Sequence, residues 1–127
     1  MSSILFDIKD NVAIITLNRP DKYNAFNREM ALGLQEKLDE CKASKNIRAI
    51  YITGAGKAFS SGQDLEEVSE PTNGVDVTVI LKEHYNPIIK RIRYCSTQSQ
   101  TTILLSRNVS AGSCSMSPVQ FLSYRSY

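Results

Sequence analysis

The chain has 127 residues, 42% of them hydrophobic and 22% charged, the composition of one soluble globular domain with a modest core. No apolar run approaches the ~20 residues that span a bilayer, and the start, MSSILFDIKDN, has neither the basic nor the long apolar region of a secretory signal. The formal net charge of +2 hides an asymmetry: all 13 acidic residues lie at or before Glu83, and the basic residues beyond it are few, with no aromatic ladder interleaved among them, which argues against a nucleic-acid partner.

In chain order, SILFDIK reads as a first strand, Asp10-Asn11 as a turn and VAIITLN as a second, β-branched strand, so the two form an antiparallel hairpin. RPDKYNAF reads as a loop. Asn27 is placed to cap a helix in which Met30, Leu34, Leu38 and Cys41 recur at steps of three and four, with Gly33 marking close packing. IRAIYIT is a strand apolar enough for burial on both faces, and Gly54 and Gly56 mark the turn after it. DLEEVSE starts a short helical turn, and residues 71–74 form a loop. VTVILKEHYNPIIKRIRY carries a helical stripe of Ile80, Leu81, His84, Tyr85, Ile88, Ile89 and Ile92, interrupted at Pro87. Lys90, Arg91 and Arg93 suit the solvated face and C-terminal end of that helix.

Cys41, Cys95 and Cys114 are odd in number and widely spaced, which argues against a disulfide framework and a zinc site and for a reducing, cytoplasmic setting. The stretch with chemical promise is GKAFSSGQDLEEV. Ser60, Ser61 and Gly62 are small, so a ligand can come close to the main chain. A loop entering a helix also leaves N–H groups unpaired, with a partial positive charge aimed outward. Asp64 either caps the helix that follows or orients the loop. His84, the single histidine, lies on a helical stripe without an arguable Ser or Cys partner and reads as a satisfied core or groove histidine. Glu66, Glu67 and Glu70 read as a solvated acidic face, with Glu66 or Glu67 a candidate to border a ligand pocket.

Two segments, VAIITLNRPDKYNAFNREM and LQEKLDECKASKNIRAIYITGAGKAFSSGQDLEEV, together resemble the N-terminal part of the crotonase superfamily, the enoyl-CoA hydratases and isomerases. GQDL and the YNP helix are most similar to the phenylacetate-pathway enoyl-CoA isomerases. The likeness covers residues 4–94. It implies an α/β fold, the incomplete N-terminal portion of a crotonase-like ββα spiral core. It implies an acyl-CoA thioester as substrate, with CoA part of that substrate rather than a separate cofactor, and neither metal nor membrane. In such enzymes the thioester carbonyl sits in an oxyanion hole of two main-chain N–H groups that stabilise an enolate. Matched by position, the first donor falls on Gln63. Ser61, Gly62, Asp64 and Leu65 flank it as substrate-binding residues, and Lys22, Tyr23 and Ala25 match the segment that meets the nucleotide and pantetheine of CoA.

Residues 95–127 depart from the resemblance: they hold nine serines and two charged residues among 33. The expected lysine-proline segment is missing, TTILLS reads as a short strand, and Gly112 or Ser113 is the candidate for a second donor. Ser115 stands where hydratases place a catalytic carboxylate. The later helices that complete the CoA site and build homo-oligomers in the family have no counterpart. Residues 1–94 therefore read as the family-like part and 95–127 as a divergent tail, poorly ordered apart from a strand near Ile103. That tail is either the product of an altered reading frame or a natural short form. Two functions stay open: an enoyl-CoA hydratase/isomerase in shortened or altered form, poorly active alone, and a non-catalytic CoA-binding remnant or interaction module.

Overall fold

The computed structural model of the chain describes residues 2–68, 76–98 and 102–107. Four strands, β1 (Ile4–Lys9), β2 (Val12–Leu17), β3 (Ala49–Gly54) and β4 (Thr102–Arg107), form one sheet in the order β1-β2-β3-β4. β1 and β2 are antiparallel, and the turn residues Asp10 and Asn11 have φ of 51° and 64°. A two-residue turn needs two such left-handed residues to match the strand twist, and Asp and Asn tolerate that region better than most. β2 pairs with β3, and β3 with β4, in parallel. Parallel neighbours need long crossovers. The first carries α1 (Arg28–Ala43). The second carries α2 (Leu65–Val68), α3 (Val77–Ile80), a π-helical turn (Leu81–Tyr85) and α4 (Asn86–Gln98).

The register aligns Phe6, Ile15, Ile52 and Leu105 in one row and Ile8, Ala13, Ile50 and Ile103 in another. Apart from the exposed Ile8, these belong to or pack against the core cluster that Met30, Leu34, Leu38 and Cys41 of α1 and Ile88 and Cys95 of α4 complete. Asn27 caps α1 by accepting from the Met30 N–H at 2.9 Å. A Cβ at Gly33 would meet Cγ1 of Ile4 at 3.2 Å, so the missing side chain lets α1 lie close to β1.

Hairpin, capped α1, central strand and the short strand at Ile103 all fall where the sequence places them. Four readings are corrected. β3 is fully buried on one face only: Ala49 and Tyr51 are half-buried, because the helices cover the face of Ile50 and Ile52. Residues 20–22 are a 3₁₀ turn rather than plain loop. α2 starts at Leu65, with Gln63 and Asp64 ahead of it. Leu81 and Ile89 are exposed, since the buried line runs Ile80, His84, Ile88, Cys95. Steps of four keep that line on one side through the wide π turn and rotate Leu81 and Ile89 away.

Pro87 explains the wide turn. It has no N–H to give to the carbonyl four residues back, that of Glu83. Gln35, buried on α1, supplies the replacement: its Nε2 donates to Glu83 O at 2.8 Å and to His84 O at 3.2 Å. α4 continues to Gln98 through residues 94 and 95, and Cys95 is 1% exposed within the core, so the expected division at 94/95 falls inside a packed helix. Burial pushes the Cys41 thiol up to about 11, with Cys95 adding to it. No helix among the described residues is long and apolar enough to cross a membrane.

Candidate active-site loops

Leu17 and Gly54 are register partners at the ends of two parallel strands, so the chain leaves β2 and β3 at the same edge of the sheet. Crevices outside the carboxyl ends of such strands are where open α/β sheets take ligands. The loops that follow, 18–27 and 55–64, are joined by Asn24. Its side-chain Nδ2 donates to Ala55 O at 2.9 Å and Ala58 O at 2.8 Å, and its Oδ1 accepts from the Arg19 N–H at 2.8 Å. Asn24 is fully buried at φ 56°, in the left-handed region that asparagine enters most readily. Gly54 makes the close return possible: a Cβ there would collide with Ala58 O and Phe59 O.

The seam continues outward. Ser60 Oγ donates to Asn24 O at 2.9 Å, and the Ser61 N–H donates to Tyr23 O at 3.0 Å. Phe26 then forms a parallel bridge to Gln63: its N–H donates to Gly62 O at 2.7 Å, and its carbonyl accepts from the Asp64 N–H at 2.9 Å. In a parallel bridge the residue between those two bonds turns its own N–H to the other side. The Gln63 N–H accordingly points away from Phe26 and has no acceptor among the described residues. Beside it Gly62, at φ 102°, is exposed, with nothing within 4 Å of where a Cβ would lie. A glycine is required there by backbone conformation, and it leaves approach to the donor open.

Asp64 both caps α2 and orients the loop. Its Oδ1 accepts from the Glu66 N–H at 3.0 Å, and its Oδ2 takes the Arg19 guanidinium at 2.9 Å. Arg19 also donates to Ala25 O at 2.6 Å. The hydrogen bond from Arg19, helped by the one from Glu66, holds the Asp64 carboxyl below its ordinary pKa.

The Gln63 side chain is held at both ends. Tyr85 Oη donates to its Oε1 at 2.7 Å, and its Nε2 donates to Glu67 Oε2 at 3.1 Å. The other Glu67 oxygen accepts from the Arg28 N–H, at the start of α1, at 2.9 Å. Tyr85 also packs on Phe26, ring centroids 6.0 Å apart. Burial, and the nearby Glu67, push the Tyr85 phenol up.

The remaining residues singled out by sequence divide. Lys22 is bound to Glu66 at 2.7 Å on the exposed rim, and Glu66 raises its ammonium pKa. Tyr23 and Leu65 are 60% and 75% exposed beside it. Ala25 is buried, its N–H given to Lys22 O and its carbonyl held by Arg19, so it sets the path of the loop rather than offering a surface. His84 is buried as expected but not satisfied among the described residues: its Nδ1 has no partner there, and Gln35 engages its carbonyl instead of its ring. Glu70, Gly112, Ser113, Cys114 and Ser115 lie outside the described residues, as does all of 108–127. Arg19, Asn24 and Tyr85 were missed as site residues. Arg19 and Asn24 fall within the matched stretch NRPDKYNA and Tyr85 opens the YNP helix, but no local pattern shows that their side chains reach this loop. Among the described residues, no group of three or more His, Cys, Asp or Glu is placed to hold a metal ion.

Residues 7–98 match the family model described as enoyl-CoA hydratase/isomerase. The chain is 37% identical over 94 residues to the 1,2-epoxyphenylacetyl-CoA isomerase of Escherichia coli (strain K12), an alignment covering 72% of this chain and 36% of that protein. Its fold is similar to a crystal structure of an enoyl-CoA hydratase/carnithine racemase from Magnetospirillum magneticum, with TM-score 0.70, 28% identity, and coverage of 83% of this chain and 38% of that one. An enoyl-CoA hydratase/isomerase structure from Pseudoalteromonas atlantica T6c aligns with TM-score 0.61 at 28% identity, over 81% of this chain and 38% of that one. The chain thus spans a little over a third of the length of these relatives.

Proposed function

Because the chain belongs to the enoyl-CoA hydratase/isomerase family, we propose that it binds the thioester carbonyl of an acyl-CoA at the Gln63 N–H, as one donor of an oxyanion hole for enoyl-CoA hydration or isomerisation. The observation that carries this reading is the bridge to Phe26, which leaves the Gln63 N–H unpaired beside the open face of Gly62. A fixed main-chain donor of this kind is worth about 3–4 kcal/mol to a transition state that places negative charge on oxygen. The exposed rim of Lys22, Tyr23 and Leu65 faces the CoA portion of the ligand, with the Lys22 ammonium available to a phosphate in exchange for Glu66.

Binding outweighs turnover in this chain. Among the described residues, the buried or loop-bound carboxylates beside the donor are held, Asp64 by Arg19 and the Glu66 N–H and Glu67 by Gln63 and the Arg28 N–H, while Glu66 sits on the exposed rim with Lys22. Neither Asp64 nor Glu67 is free to move a proton, and general acid–base work contributes on the order of 10²–10⁴-fold. This favours the second reading, a CoA-binding module, over an independent catalyst. The test is calorimetric titration of the 127-residue chain with crotonyl-CoA, alongside an assay of its hydration. Gln63→Pro, which deletes the N–H, is expected to weaken binding about fivefold, the value of one hydrogen bond. Hydration by the unaltered chain is expected far below the ~10 s⁻¹ of an ordinary enzyme. Equal affinity in the proline variant, with its fold intact by circular dichroism, would remove the donor assignment.

A further inference from the structure

We propose that Tyr85 is a positioning residue for the Gln63 donor, acting by holding the Gln63 carboxamide away from its own main-chain N–H. This rests on the reading of that N–H as the thioester donor. A glutamine at this position carries a hazard. Its side chain is flexible, with up to ~2 kcal/mol of rotamer entropy, and its carbonyl is long enough to reach back to its own N–H. Left free, that oxygen competes with a substrate carbonyl for the same donor.

The structure closes off that competition at both ends of the carboxamide. The Tyr85 hydroxyl occupies Oε1 at 2.7 Å, and Glu67 takes the Nε2 hydrogen at 3.1 Å. Each restraint is itself anchored. Glu67 is tied to the first N–H of α1, and the Tyr85 ring lies against Phe26, the bridge partner of Gln63. Tyr85 closes the π turn that Pro87 and Gln35 support, so the phenol is delivered from a packed helix rather than from a loop. Half-buried tyrosines ordinarily spend their hydroxyl on a partner. Here the partner is the side chain of the donor's own residue, and a phenol, protonated at neutral pH and pushed further up by burial, donates to it.

The test uses cinnamoyl-CoA, whose conjugated thioester absorbs at longer wavelength when a donor polarises its carbonyl. Bound to the unaltered 127-residue chain, it is expected to show a red shift. Tyr85→Phe is expected to lose at least half of that shift and to bind the thioester about fivefold more weakly. In a Gln63→Ala background, which has no carboxamide to hold, the same Tyr85→Phe change is expected to alter neither quantity further. Glu67→Ala, which releases the nitrogen end of the carboxamide, is read by the same criterion should Tyr85→Phe not fold. A full shift in Tyr85→Phe would overturn the proposal, as would an equal loss in both backgrounds, the mark of simple packing on Phe26. In both of those cases a shift in the unaltered chain would still stand for the donor. Absence of any shift in the unaltered chain would remove the donor reading itself, and Tyr85 with it.

Discussion

Asn24 is the side chain on which the two loops turn, and its sequence context shows little of that. Its acceptors, Ala55 O and Ala58 O, lie 31 and 34 residues away along the chain. No local pattern reports a hydrogen bond closed over that distance. The same holds for Arg19, whose carboxylate partner is 45 residues away. The loop around Gln63 differs: its small neighbours and the helix start after it are written within a few residues, whereas the donor role proposed for Gln63 comes from the resemblance. Asn24→Ala would leave two buried carbonyls and the Arg19 N–H without their partner and would put a Cβ-bearing, non-bonding residue at φ 56°. At ~1–3 kcal/mol for each buried group left unsatisfied, a loss of about 3 kcal/mol or more is expected in urea denaturation. A change below about 1 kcal/mol would mean that water replaces the carboxamide.

At the level of elements, α2 is too short to hold itself. Four residues gain little from their own hydrogen bonds. Its position relies on Asp64, which caps it at one carboxyl oxygen and takes Arg19 with the other. The folded pKa of Asp64 is depressed, so the tie contributes fully above the ordinary aspartate value of ~3.9 and is lost as pH falls through the lower, folded value. Asp64→Asn is therefore expected to destabilise the chain near neutral pH. The gap between variant and unaltered chain should close progressively below about pH 4. Urea midpoints of both proteins across that range measure it, and a gap that does not narrow would show that the carboxylate charge is not what anchors α2. The second crossover teaches a related lesson. The interruption at Pro87 is legible in the sequence, because proline lacks a donor wherever it stands. That the turn widens to a π turn and borrows Gln35 depends on a helix lying alongside, which no local pattern specifies.

For the whole molecule, the elements most visible in sequence are those with a periodic signal, the hairpin and α1, while the strand at Ile103 shows only as a short apolar run. The seam between the loops has no period and was legible only as a motif. The helical stripe misled at Leu81 and Ile89, since a period of 3.6 does not survive a wide turn. The architecture brings the carboxyl ends of two parallel strands together and uses both loops to present one main-chain N–H. The direct measurement of that arrangement is the ¹⁵N–¹H spectrum of the 127-residue chain, titrated separately with crotonyl-CoA and with free CoA. The expected result is a downfield shift of the Gln63 amide proton with crotonyl-CoA and none with CoA, while amides of Lys22 and Tyr23 respond to both. A Gln63 amide unmoved by crotonyl-CoA, as those rim amides shift, would show a chain that holds the nucleotide and leaves the thioester carbonyl without this donor.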